Sequence, residues 1–179
     1  MRSSRRTLIL EAAISIIEAN GVNALSFESL AEAAELSKSG IIYHFPSRQE
    51  LLVGINQHFI DLWEAELVEL AGGPAHELTP QQRLRAMALS MGSNAERAEL
   101  LMCVESQGNS QLSEMWTRID NEWMPDPDTA CDSELATASY LVQLMSYGLW
   151  AHDHVRNSHL RPEVRAQLVE AVLKQIPSS

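Results

Sequence analysis

Between Ser26 and Leu52 the chain opens and closes helices in quick succession, and that punctuation constrains its fold more than any other feature. Ser26 suits the N-cap of a short helix running through Ala34, with Phe27, Leu30, Ala31 and Ala34 on one face. Glu35-Leu36 follows, and Ser37 caps a second segment of about seven residues. Pro46 then breaks the chain. Ser47 caps anew, with Glu50 placed for a capping box, and the next helix runs on past Leu67. Upstream, Leu8, Ala12, Ile16 and Ala19 at helical spacing, widened by Leu10, Ile14 and Ile17, predict a first helix over roughly residues 3–20 that stops at Asn20-Gly21. Two short helices joined by a tight turn and braced by a longer helix on each side describe a helix-turn-helix module.

The rest of the chain continues the same period without alternating β-branched runs, so the fold class is all-α. Thr79-Pro80-Gln81-Gln82 opens a helix with Leu84, Met87, Ala88 and Met91 on one face. Ser93-Asn94-Ala95-Glu96 has the pattern of a capping box before a helix carrying Leu100, Leu101 and Val104. Leu112, Trp116, Ile119 and Trp123 share a stripe on a helix over 110–124, ended by Pro125 and Pro127. A long helix over 130–154 is apolar all round in its middle, and a last one runs from Pro162 to about Ile176 with Val164, Leu168, Ala171, Val172 and Gln175 as a stripe. The expected division is a helix-turn-helix domain over 1–50 and a second helical domain over 51–179.

Charge and motifs narrow the function. The net charge of −11 is unusual for a nucleic-acid binder, but residues 1–54 hold five cations against six acids, while residues 55–179 hold eight against eighteen. The N-terminal part can therefore still present a local basic face. Cys103 and Cys131 have neither CxxC nor ligand spacing, so reduced thiols are expected and no metal or cofactor site is. In His152-Asp153-His154 the two histidines sit two apart on a helix and point away from each other. No GxSxG, P-loop or GxGxxG occurs, which leaves an enzyme reading without catalytic residues. No apolar run is long enough for a membrane span and the N-terminal residues do not form a leader, so a cytoplasmic protein without membrane contact is expected.

A recognition helix wants small or polar groups where it meets DNA and bulk where it packs. Lys38, Ser39, Gly40, Tyr43 and His44 suit the first task, and Ile41, Ile42 and Phe45 the second. The run SFESLAEAAELSKSGIIYHFPSRQELL closely resembles the DNA-binding domain of TetR-family transcriptional repressors, over about residues 5–54. The resemblance implies that Ser37, Lys38, Tyr43 and His44 approach double-stranded DNA, with Lys38 at either a guanine edge or a phosphate. Arg48 is expected to meet a phosphate at a helix start, and Arg5 and Arg6 to add unspecific attraction. The family usually has glycine where this chain has Glu35, a position expected to be left-handed, so strain or remodelling of the turn is expected there.

For the second domain the family implies ligand binding and dimerisation. The all-round apolar helix needs a cover that a small domain cannot supply, and a second subunit is the simplest one. With the last helix it would form the four-helix bundle of a homodimer. All four tryptophans and every methionine but Met1 lie beyond residue 62, in an acidic region. Aromatic walls with adaptable methionines suit planar lipophilic inducers, and Glu105 and Asp120 would favour cationic ones. The candidate ligand contacts are Trp63, Leu67, Met91, Leu100, Glu105, Trp116, Asp120 and Tyr147. Trp63 and Trp116 follow from similarity to a multidrug-binding repressor of the same family. The expected function is a ligand-released repressor that binds a palindromic operator as a dimer. Sensing of an endogenous metabolite or lipid is the alternative, and from another class, a small-molecule binding protein with a disused helix-turn-helix.

Overall fold

The computed structural model describes residues 4–156 and 158–178, and the described residues form nine α-helices, three single 3-10 turns and no strand. They gather into two compact units: the residues up to Asp61 together with Glu96–Trp116, and Leu62–Ala95 together with the residues from Thr117 onward.

In the first unit, α1 (Arg5–Asn20) starts where the Ser4 Oγ accepts the Thr7 N–H at 3.1 Å, and Gly21 ends it with φ +82°. The expected start at residue 3 lies outside the described residues. Ile9, Leu10, Ala13, Ile16 and Ile17 are its buried face. Leu10, Ile16 and Ile17 of the expected stripe are buried, but the stripe is rotated at its edge: Leu8 is 45% exposed and Ala19 is exposed too, and Ile9 and Ala13 face the core instead. Next come α2 (Phe27–Ala33), α3 (Lys38–His44) and α4 (Arg48–Ala71). Ser26 caps α2 reciprocally with Ser29, and the Ser47 Oγ accepts the Glu50 N–H at 3.1 Å at the start of α4. On the two-turn α3, Ile41 and Phe45 fill the core one turn apart. Ile42, expected to be buried, is 39% exposed, since so short a helix has room for only one apolar line.

Leu51, Leu52, Ile55 and Phe59 of α4 join that core. The sequence divides the chain at residue 50, whereas the compact unit extends through Asp61 because this half of α4 is its floor. Gly54 makes the packing possible: a Cβ there would lie 2.6 Å from the Phe45 ring. Two further pieces close the core, α6 (Arg97–Ser106) with Ala98 and Met102, and the start of α7 (Ser110–Trp123) with Leu112. The capping box expected at Ser93–Glu96 does not form, for Glu96 is itself the N-cap and makes no side-chain bond. A distant group replaces it: the Glu18 carboxylate of α1 accepts the Ala98 N–H at 2.6 Å.

The second unit holds the end of α4, α5 (Pro80–Ser90), the end of α7, α8 (Glu134–Val155) and α9 (Pro162–Leu173), with α5 packed on α8 and α9. Thr79 and Gln82 form the capping box of α5, whose Leu84, Met87, Ala88 and Met91 are buried as its spacing predicts. α8 starts at Glu134 rather than 130, because Pro127–Thr129 make a 3-10 turn and Ser133 is the cap. Its buried line is Val142, Gln143, Ser146 and Leu149. Leu141 and Leu144, by contrast, are 52% and 49% exposed, and Met145 and the Leu168 of α9 are also open to solvent.

Candidate functional site

The α2–α3 turn settles the position of the second helix. Glu35 adopts φ +52°, the left-handed region. The Leu36 N–H donates to the Ala31 carbonyl at 3.1 Å and the Glu35 N–H to that of Glu32 at 3.3 Å. These are the two bonds of a Schellman ending, so the turn keeps its glycine-type geometry with a glutamate in it and is strained rather than remodelled. α3 then starts at once on the Ser37 cap, whose Oγ accepts the Gly40 N–H at 3.2 Å and bonds the Ser39 Oγ at 3.1 Å. A Cβ at Gly40 would meet that same Oγ at 3.2 Å, so glycine leaves room for the cap.

Of the residues expected at DNA, Ser37, Lys38, Ser39 and Tyr43 are exposed on α3 or at its cap, and Gly40 and His44 are half-buried. Tyr43 is 83% exposed, an unusual position for an aromatic side chain without a partner surface, and meets His44 edge-on at 5.2 Å. Lys38 is bonded through its Nζ to the Glu28 carboxylate of α2. That bond, with the charge of Lys38, holds the Glu28 carboxyl below its ordinary range. Nothing in the sequence pattern links residues ten apart on different helices. Arg48 is exposed, and its Nη2 donates to the Val22 carbonyl at 3.3 Å, which fixes the guanidinium beside a shallow hollow lined by Leu25, Phe27 and Leu51. Arg5 is exposed at the start of α1, while the Arg6 guanidinium sits 4.9 Å from the centre of the Phe45 ring and so braces the end of α3.

The candidate ligand contacts fall in both units. Leu100, Glu105 and Trp116 lie in the first, where Glu105 is exposed on α6 and Trp116 is packed against the core. The Trp116 indole donates to the Asn56 Oδ1 at 2.8 Å, and Asn56, fully buried, returns its amide to the Leu52 carbonyl at 2.9 Å. Trp63, Leu67, Met91, Asp120 and Tyr147 lie in the second, where Leu67 and Met91 are buried and the other three half-buried. Burial pushes the Asp120 carboxyl up to about 6, the behaviour of a carboxylate that lacks a compensating cation. Two polar atoms of the same unit, the Trp123 Nε1 and the Gln143 Oε1, are buried without a hydrogen-bond partner. In the sequence Trp123 reads as an ordinary member of a helical stripe, and Gln143 carries no signal of its own.

His152, Asp153 and His154 tie the end of α8 to its surroundings. The Asp153 carboxylate bonds the His152 Nδ1 at 2.9 Å, the Arg165 Nη2 at 3.0 Å and the Leu160 N–H at 3.2 Å. These partners, His152 foremost, hold its carboxyl well below the usual carboxylate range. The His154 Nε2 faces the Ala95 carbonyl at 2.7 Å.

Residues 9–55 match the family model described as bacterial regulatory proteins of the tetR family. Proteins of that family are transcription factors and not enzymes. Among curated proteins, the HTH-type transcriptional regulator RutR of Escherichia coli K12 is 26% identical over 110 residues, which cover 62% of this chain and 51% of RutR. The chain thus spans about half the length of the curated relatives it matches. Among solved structures, a transcriptional regulator from Rhodococcus sp. RHA1 superposes with a TM-score of 0.68 at 17% identity, covering 97% of this chain and 96% of the other. The multidrug binding protein EbrR complexed with malachite green superposes with a TM-score of 0.66 at 16% identity, covering 98% and 100%. At these identities the superpositions show a shared fold. No helix among the described residues is long and apolar enough to cross a membrane.

Proposed function

We propose, from the match of residues 9–55 to the model of the TetR family of bacterial regulatory proteins, that this chain is a transcriptional repressor that binds a palindromic operator as a homodimer and releases it when a small molecule binds. The observation that carries the DNA-binding reading is the exposed face of α3. A capped two-turn helix presents Tyr43 almost wholly to solvent, with His44 beside it and Arg48 at the start of the next helix. A major groove accepts such a helix, and its phosphates accept the cations at the edges. Sequence-specific duplex binding that strengthens as salt falls tests it. Tyr43→Ala or His44→Ala should lower operator affinity by about 1–3 kcal/mol with the oligomer unchanged. Unchanged affinity in both variants sinks the assignment of this face.

The dimer rests on α8 and α9, where Leu141, Leu144, Met145 and Leu168 leave an apolar face that water does not favour and a second copy would cover. The inducer reading rests on the second unit, which holds Trp63, Met91 and the desolvated Asp120. An organic cation would supply what that carboxylate lacks, in keeping with the multidrug-binding relative of the same fold. α4 is one unbroken helix from Arg48 to Ala71, and Trp63 lies roughly 22 Å along it from Arg48. A ligand against Trp63 would therefore act on the helix that starts at the DNA-binding face. Trp63→Ala should weaken inducer binding and spare operator binding.

A further inference from the structure

Lys38 is the sole lysine of the helix-turn-helix segment, and in the free protein its ammonium is bonded to the Glu28 carboxylate across the α2–α3 turn. Both side chains are more than half exposed, so the pair lies on the surface that a duplex would meet. An acid there is costly for a DNA binder, because its carboxylate repels the phosphates that the neighbouring lysine attracts. We propose that Glu28 is a specificity-determining residue, which cancels the charge of Lys38 toward phosphates and leaves its remaining N–H donors to read a base edge. This rests on the regulator reading above.

A lysine offers DNA two separable things. Its charge draws it to any phosphate, releases counterions and gives no sequence information. Its three N–H donors can be directed, and a guanine presents O6 and N7 as adjacent acceptors in the major groove. With one donor on Glu28, two are free, and a pair of zero net charge adds nothing to counterion release. A glutamate is ionised at neutral pH in any case, and the Lys38 contact lowers the Glu28 carboxyl further, so the pair stays ionised there. A net charge of −11 disfavours unspecific attraction to DNA, and the pair extends that bias to the one cation best placed to read sequence.

The test uses the full chain. Wild-type protein first selects its preferred site from a random duplex library; then Glu28→Gln, Glu32→Gln and the double variant Glu28→Gln/Lys38→Met are measured on that site and on unselected duplex across a salt series. Glu32 is an exposed acid one turn along α2 and controls for the mere loss of a negative charge. The expected result for Glu28→Gln is tighter binding to unselected duplex by severalfold at low salt, a salt slope steeper by about one unit, and a smaller ratio of selected to unselected affinity. The double variant Glu28→Gln/Lys38→Met, neutral like the wild-type pair, should return the unselected slope to the wild-type value and lose the preference at one base pair of the site. An unchanged slope in Glu28→Gln, an equal change in Glu32→Gln, or a double variant whose slope stays as steep as that of Glu28→Gln overturns the inference while leaving a DNA-binding regulator standing. A wild-type chain that selects no duplex overturns the regulator reading itself, and this one with it. Thermal melts of the three variants, all at exposed positions, establish that each is folded.

Discussion

Replacing Glu35 with glycine should stabilise the protein, and the size of the effect follows from one dihedral. Glu35 sits at φ +52°, where the Cβ of an L-residue crowds the following carbonyl at a cost of roughly 1–2 kcal/mol. Glycine relieves that crowding but gives the unfolded chain more freedom, which returns about 0.5–1 kcal/mol. The net gain is about 0.5–1 kcal/mol, or an increase in Tm of roughly 1–4 °C for a chain of this size. The side chain is exposed and its carboxylate lies just past the C-terminus of α2, where a negative charge is slightly unfavourable, so any substitution that removes the charge gains a little. Glu35→Ala has that gain and keeps the Cβ. The difference between Glu35→Gly and Glu35→Ala in urea and thermal denaturation therefore isolates the backbone. Because both Schellman bonds are already made, operator affinity should change no more in Glu35→Gly than in Glu35→Ala. Equal melting of the two variants refutes the strain, and a selective gain in DNA affinity for glycine refutes the claim that the turn already has its glycine geometry.

Asn56→Ala should cost about 1–3 kcal/mol, since it removes the buried acceptor of the Trp116 indole N–H while the Leu52 carbonyl keeps its helical bond; chemical denaturation measures it, and a loss below about half a kcal/mol contradicts the assigned bond. Asp120 contributes a pH dependence of definite sign. Its folded pKa of about 6 lies above the ordinary value of 3.8, so the folded state favours the protonated form, and this group's contribution falls as pH rises through that interval and is level above it. Asp120→Asn should therefore gain stability on wild type from pH 4 to pH 6 and hold the gain above, by at most about 3 kcal/mol, and parallel melting curves for the two would contradict it. Leu144→Glu should shift the protein toward monomer in sedimentation without unfolding it, since the side chain is already half in solvent within one chain; an unchanged dimer would place the subunit contact elsewhere.

The helices and their caps were legible because they are local. Ser26, Ser37, Ser47 and Thr79 each bond a backbone N–H three residues on, an arrangement that a few adjacent residues specify by themselves. The left-handed turn at Glu35 was expected through the resemblance alone, from a family that usually has glycine at that position, since glutamate itself gives no local signal for positive φ. What the sequence could not determine is where the edge of a broad apolar stripe falls, as at α1, where Ile9 and Ala13 rather than Leu8 and Ala19 face inward because other elements lie on that side. Nor could it foresee partners far apart in the chain: Glu18 capping α6 in place of Ser93, Glu28 holding Lys38, Asn56 meeting Trp116. Hydrogen bonds and charge pairs of that kind depend on distances that exist only after the helices pack, and periodicity, which records the direction of each residue around its own helix axis, has no term for the neighbour on the other side.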